Sequence, residues 1–182
     1  MRFSSTTKFI AICASMAGAA GVSAHIVLDE PAALAGTSYR AVFRVGHGCA
    51  GSPTTAIKVL IPPGFKGAKP MPKPGWVLST RREKLAQPYD DHGKSVTEAV
   101  TEITWSAASQ NEALPNDWYD EFVLRGALPG EAGAMWFKVL QTCEKGSIDW
   151  VQIPASGTST HGLQAPAALL EIIPSEHVGH RH

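Results

Sequence analysis

Along most of this chain apolar and polar residues alternate in short runs, and turn-forming residues cut the runs apart. Tyr39-Arg40-Ala41-Val42-Phe43-Arg44-Val45 has the two-residue period of a half-buried strand, and Gly46-His47-Gly48 breaks it. Residues 54–61 are rich in β-branched side chains and stop at Pro62-Pro63-Gly64. Further strands are expected over 76–82, 96–105, 122–124, 134–141, 147–153 and 168–173. In the second of these Val96, Ala99, Val100, Ile103 and Trp105 are the apolar members. Residues 25–28 begin extended and Pro31 stops them. Pro70, Pro72 and Pro74 predict that residues 66–75 form an extended loop outside any sheet. From residue 25 onward no window carries an apolar stripe at helical spacing, and 13 prolines punctuate the chain. Short strands with regular turn chemistry predict an all-β fold, an immunoglobulin-like β-sandwich. Neither an internal repeat nor a clear linker divides it.

The first 24 residues follow another pattern. Arg2 and Lys8 make a positive n-region, residues 9–20 are apolar apart from Ser15 and Gly18, and Val22-Ser23-Ala24 ends in the small residues that signal peptidase reads. A cleaved signal peptide is therefore expected over 1–24, a sandwich over 25–174, and a flexible tail with His177, His180 and His182 over 175–182. The apolar run is too short to span a bilayer and no later one is long enough, so no membrane span is expected in the mature chain. Cleavage removes Arg2 and Lys8 from the 16 Lys+Arg, leaving 14 against 16 Asp+Glu and a formal charge of −2. Without a basic patch or a Lys/Arg run, nucleic acid is not an expected partner. Cys13 leaves with the signal, and Cys49 and Cys143 remain for one disulfide in an oxidising compartment. The rival is a two-thiolate site for Cu(I) or Zn, which no Cys-x-x-Cys spacing supports. The sequence has no Gly-x-Ser-x-Gly, His-Glu-x-x-His or phosphate-binding glycine loop, so no hydrolase constellation is visible.

Cutting after Ala24 makes His25 the first residue of the mature protein. Its amine and imidazole Nδ1 can then close a chelate ring on one metal ion. Cu(II) favours such tetragonal nitrogen and oxygen donor sets and heads the divalent affinity order. The tail histidines can also bind Cu(II), Ni(II) or Zn(II), weakly without a preformed cage. His92 and His161 sit in polar loops and are expected to be solvated. His47 lies in a turn that could face either end of the sandwich, as a backbone-bonded turn residue or near a site.

Specific text spans nearly the whole mature chain: His25-Ile26-Val27-Leu28, then Phe43-Arg44-Val45-Gly46-His47-Gly48-Cys49 and Ser52-Pro53-Thr54-Thr55. Ile61-Pro62-Pro63-Gly64, Pro72-Lys73-Pro74-Gly75-Trp76 and Val100-Thr101-Glu102-Ile103-Thr104-Trp105 follow. Tyr119-Asp120-Glu121-Phe122, Gln141-Thr142-Cys143-Glu144-Lys145-Gly146 and Trp150 close the set. In order and spacing this resembles the YcnI-like family of exported copper-binding domains, formerly grouped as a domain of unknown function. The resemblance implies a β-sandwich whose N-terminal histidine, His25, binds Cu(II) in a monohistidine brace. It also implies a carboxylate ligand, mapped to Glu121, and a copper-proximal tryptophan, mapped to Trp150. Asp120, Glu98 and Glu102 compete for the carboxylate role, and Trp150 also fits a core aromatic packed on the disulfide. The expected function is a non-enzymatic periplasmic or secreted module for copper delivery, buffering or homeostasis. Its expected partners are copper and other extracytoplasmic copper chaperones or copper-transporting membrane proteins. The alternative is a histidine-brace copper oxidase or monooxygenase, which uses a second histidine. The family's frequent C-terminal membrane anchor is not expected here.

Overall fold

The computed structural model describes residues 25–91 and 93–175. The expected signal peptide (1–24), His92, and the tail histidines His177, His180 and His182 lie outside the described residues. Eleven strands follow one another among the described residues. They are β1 (Val27–Leu28), β2 (Ala32–Leu34), β3 (Ser38–Val45), β4 (Thr54–Leu60), β5 (Lys66–Pro70) and β6 (Trp76–Asp91), then β7 (Lys94–Ala107), β8 (Asp120–Ala127), β9 (Gly133–Cys143), β10 (Ser147–Trp150) and β11 (Ala168–Ile173). One sheet has the order β1-β3-β8-β5, and the other β2-β11-β9-β4-β7-β6 with β10 also paired to β9. The immunoglobulin-like sandwich expected from the alternation is the fold that forms.

The two-residue period decides what lies between the sheets. Tyr39, Ala41, Phe43 and Val45 of β3 are buried while Ser38, Arg40 and Arg44 stay exposed. Phe122 and Leu124 of β8 join them, and Ile57, Val59, Ile103, Trp105, Phe137 and Val139 come from the opposite sheet. Phe137 meets Phe43 and Phe65 edge-on at 5.5 and 5.3 Å, and Phe122 meets Trp76 at 4.9 Å. Full burial of each such side chain stabilises the fold by about 1.5–3 kcal/mol. Gly126 sits inside β8 because Phe65 lies over it; a Cβ there would fall 2.3 Å from the Phe65 ring.

Two local expectations are corrected, and one short strand, β2, was not foreseen. Residues 66–70 are not a loop but β5, paired with β8 at the sheet edge. Its terminal Pro70, its two lysines and its register shift are features that edge strands tolerate, so proline there did not exclude a ladder. Strand β2 runs parallel to β11 and spans only three residues, too few to display a period. Strand β6 runs on past Arg82 to Asp91 along β7 as an exposed ribbon, in which the charged run Arg81-Arg82-Glu83-Lys84 hides the strand signal. The Cys49–Cys143 disulfide is formed, with Sγ atoms 2.08 Å apart, and ties the segment after β3 to the end of β9. Among the described residues no helix is long and apolar enough to cross a membrane.

Candidate metal centre

Strand β3 ends at Val45, and Gly46-His47-Gly48 leads into a closed turn. Within it Cys49 and Ser52 exchange backbone hydrogen bonds of 3.1 and 2.9 Å. A Cβ on Gly48 would lie 1.8 Å from the Ser52 carbonyl oxygen, so only glycine permits this approach. The Gly48 N–H donates to Asn116 Oδ1 at 3.2 Å, and the disulfide anchors Cys49 one residue later. His47 is thereby held on a stiff segment. Its Nδ1 lies 2.6 Å from the Gly48 carbonyl oxygen. That oxygen can only accept, so Nδ1 carries a proton, and in the neutral ring the lone pair is on Nε2.

The inward stripe of β9 is Met135, Phe137, Val139, Gln141 and Cys143. Gln141 is its polar member, fully buried. Its Nε2 donates to the His47 carbonyl and to Thr54 Oγ1, each at 2.7 Å, and its Oε1 accepts from Trp150 Nε1 at 3.0 Å. One buried amide thus holds both the backbone of His47 and the indole of Trp150. Trp150, 3% exposed, belongs to the core. His25, half-buried just ahead of β1, brings its ring centroid 5.7 Å from that of Trp150, and His47 comes within 6.0 Å of the same ring. Three residues far apart in sequence therefore meet at one end of the sandwich. Trp150 is thus a core aromatic that also lies beside the His25 ring.

Glu121 points to the outer face of the four-stranded sheet. It lies opposite Arg44 in the β3–β8 register, and Arg44 lies opposite Val27 of β1. Two strand spacings, about 10 Å, separate the Glu121 backbone from the strand His25 leads into. Between them, at Gly46, an added Cβ would meet nothing within 4 Å, so the space over the end of β3 is open. The Glu121 carboxylate accepts a hydrogen bond from the Tyr119 hydroxyl. That bond, with lesser contributions from burial and the Glu121 charge, pushes the Tyr119 phenol up to about 12. The competing carboxylates are otherwise engaged or remote. Asp120 is paired with Lys73 at 2.6 Å, Glu102 lies between Lys58 and Arg81 at 3.3 and 3.5 Å, and Glu98 is exposed on β7. His161 is exposed in its loop.

Among the described residues no three His, Cys, Asp or Glu side chains form a metal cluster. A brace needs fewer residues, because one N-terminal histidine supplies two donors. The His25 imidazole is held against a buried indole, and a Cβ added at Gly46, just past the end of β3, would meet nothing within 4 Å. Sequence reasoning singled out His25 and Trp150 but left His47 open and passed over Gln141. The available signal for Gln141 was its phase, two residues before Cys143 on an inward stripe.

Residues 25–172 match the family described as a domain of unknown function (DUF1775). The chain belongs to that family. A DUF1775 chain of this architecture is also similar to a solved structure, the crystal structure of an uncharacterized protein from Nocardia farcinica with an immunoglobulin-like fold. The two share 26% identity with a TM-score of 0.62, over 81% of this chain and 97% of that one. No curated protein matches the chain.

Proposed function

We propose that this DUF1775 protein is an extracytoplasmic Cu(II)-binding module that holds copper for delivery, buffering or homeostasis. The observation that carries the reading is the His25 imidazole, half-buried against Trp150, at the residue that cleavage after Ala24 would make N-terminal. In the processed protein the His25 amine and Nδ1 would chelate the ion. Glu121 would supply a carboxylate that offsets its charge, and Trp150 a dry wall that fixes the imidazole. Copper is cargo here, not the cofactor of a reaction. The partners would be copper chaperones or copper-transporting membrane proteins outside the cytoplasm, with the protein periplasmic or secreted. The resemblance of the motifs around His25, Glu121 and Trp150 to the YcnI-like domains supports the same reading.

Cu(II) titration of the processed protein tests it. His25→Ala should abolish the site, and removal of residues 176–182 should leave it intact. Glu121→Gln should weaken binding at least tenfold, which is about 1.4 kcal/mol. Normal binding by Glu121→Gln together with a loss in Asp120→Asn, Glu98→Gln or Glu102→Gln would move the carboxylate elsewhere.

A further inference from the structure

Given the N-terminal copper site proposed above, we infer that His47 is a third nitrogen donor to the same ion, through Nε2. Three observations carry this, together with one general rule of metal-binding histidines. His47 and His25 pack against one indole, that of Trp150, with centroid distances of 6.0 and 5.7 Å, so both imidazoles are at the same end of the sandwich. The Nδ1–H of His47 is bonded to the Gly48 carbonyl at 2.6 Å, which leaves the lone pair of the neutral ring on Nε2. Metal-binding histidines are commonly set this way: one nitrogen bonded to a backbone carbonyl fixes the tautomer and orients the other. Finally, the segment bearing His47 is rigid before any ion arrives, held by the Gln141 amide at its carbonyl, by Asn116 at Gly48 and by the disulfide at Cys49. A ligand on a stiff support loses little conformational freedom on binding.

The consequence is chemical. An amine, one imidazole and a carboxylate form a hard set suited to Cu(II). A second imidazole is a softer donor and suits copper in either oxidation state better than carboxylate oxygen does. The site would then retain its cargo when the ion is reduced.

The test uses the full processed chain loaded with one equivalent of copper. Electron spin-echo modulation from remote imidazole nitrogens should count two bound imidazoles in the unmutated protein and one in His47→Gln. Competition against a colorimetric Cu(I) chelator should show Cu(I) affinity falling at least tenfold in His47→Gln, and Cu(II) affinity falling less. One imidazole in the unmutated protein, or an unchanged count and Cu(I) affinity in His47→Gln, overturns the inference. The unmutated count needs no variant, so a folding defect in His47→Gln leaves the inference testable. Failure of the N-terminal reading has its own signature: binding that ignores an extra residue before His25. Binding that needs the native terminus but ignores His47→Gln defeats the His47 inference alone.

Discussion

Gln141→Leu preserves the size of a fully buried side chain and removes its three hydrogen bonds. Two groups lose their stated partner in the core: the Trp150 indole N–H and the His47 carbonyl. Thr54 Oγ1 keeps a weak contact with Cys143 Sγ at 3.8 Å, so it adds little. Each buried polar group left unsatisfied costs about 1–3 kcal/mol. Leucine returns about 1 kcal/mol of that by burying more apolar surface. The expected net loss is about 3 kcal/mol, which for a domain of this length lowers Tm by about 6–12 °C. Urea and thermal unfolding followed by tryptophan fluorescence would measure it. Copper affinity should fall as well, although Gln141 is not itself a proposed ligand, because Trp150 and the His47 segment lose their common anchor. A stability loss below about 1 kcal/mol would refute the claim that one amide organises this end of the sandwich.

Gly48→Ala should destabilise the fold by at least about 2 kcal/mol in a urea melt, because its Cβ meets the Ser52 carbonyl and forces the Cys49–Ser52 turn open; a near-neutral result would contradict that close approach. The Tyr119 phenol should titrate near pH 12 by absorbance at 295 nm, and Glu121→Gln should bring it back toward 10. Because the folded-state value is raised, the Tyr119–Glu121 bond favours the fold below pH 10 and loses that effect as pH climbs from 10 through 12. An unmoved titration in Glu121→Gln would show that another group causes the shift. Intact mass of the exported protein should rise by two hydrogens on reduction, and Cys49→Ser with Cys143→Ser, opening a link across 94 positions, should cost about 3–5 kcal/mol in the chain-entropy account. Two free thiols in freshly purified material would contradict it.

The sandwich was legible because burial alternates with the strand period. In β3, for instance, the inward Tyr39, Ala41, Phe43 and Val45 announce themselves between arginines. Edge elements were harder to see, since β5 and β2 are shaped by the need to stop pairing rather than by burial. The end of the sandwich around Trp150 was half legible. His25 stands out through its place after a cleavage motif, and Trp150 through its motif, because both signals are local in sequence. The meeting of His47 with Trp150 depends instead on how Gln141 and the disulfide tie β9 to the segment after β3, which belongs to the other sheet, and no local pattern carries that information. Glu121 was chosen by motif; its bond to Tyr119 is local to that motif, whereas its place opposite Arg44 emerges only from strand pairing.

The central claim is that the free amine of His25 is a copper ligand. A terminal amine must lose its proton to bind, and its ordinary pKa is roughly 7.7–8.0, so Cu(II) uptake near neutrality should release protons and weaken as the pH falls. The direct measurement compares Cu(II) affinity of protein beginning at His25 with protein carrying one extra residue ahead of it. All side chains are unchanged between the two, but the extension turns the amine into an amide. The account predicts that the native terminus binds Cu(II) with proton release and that the extended protein loses most of this affinity. Equal affinity in the two proteins would contradict it.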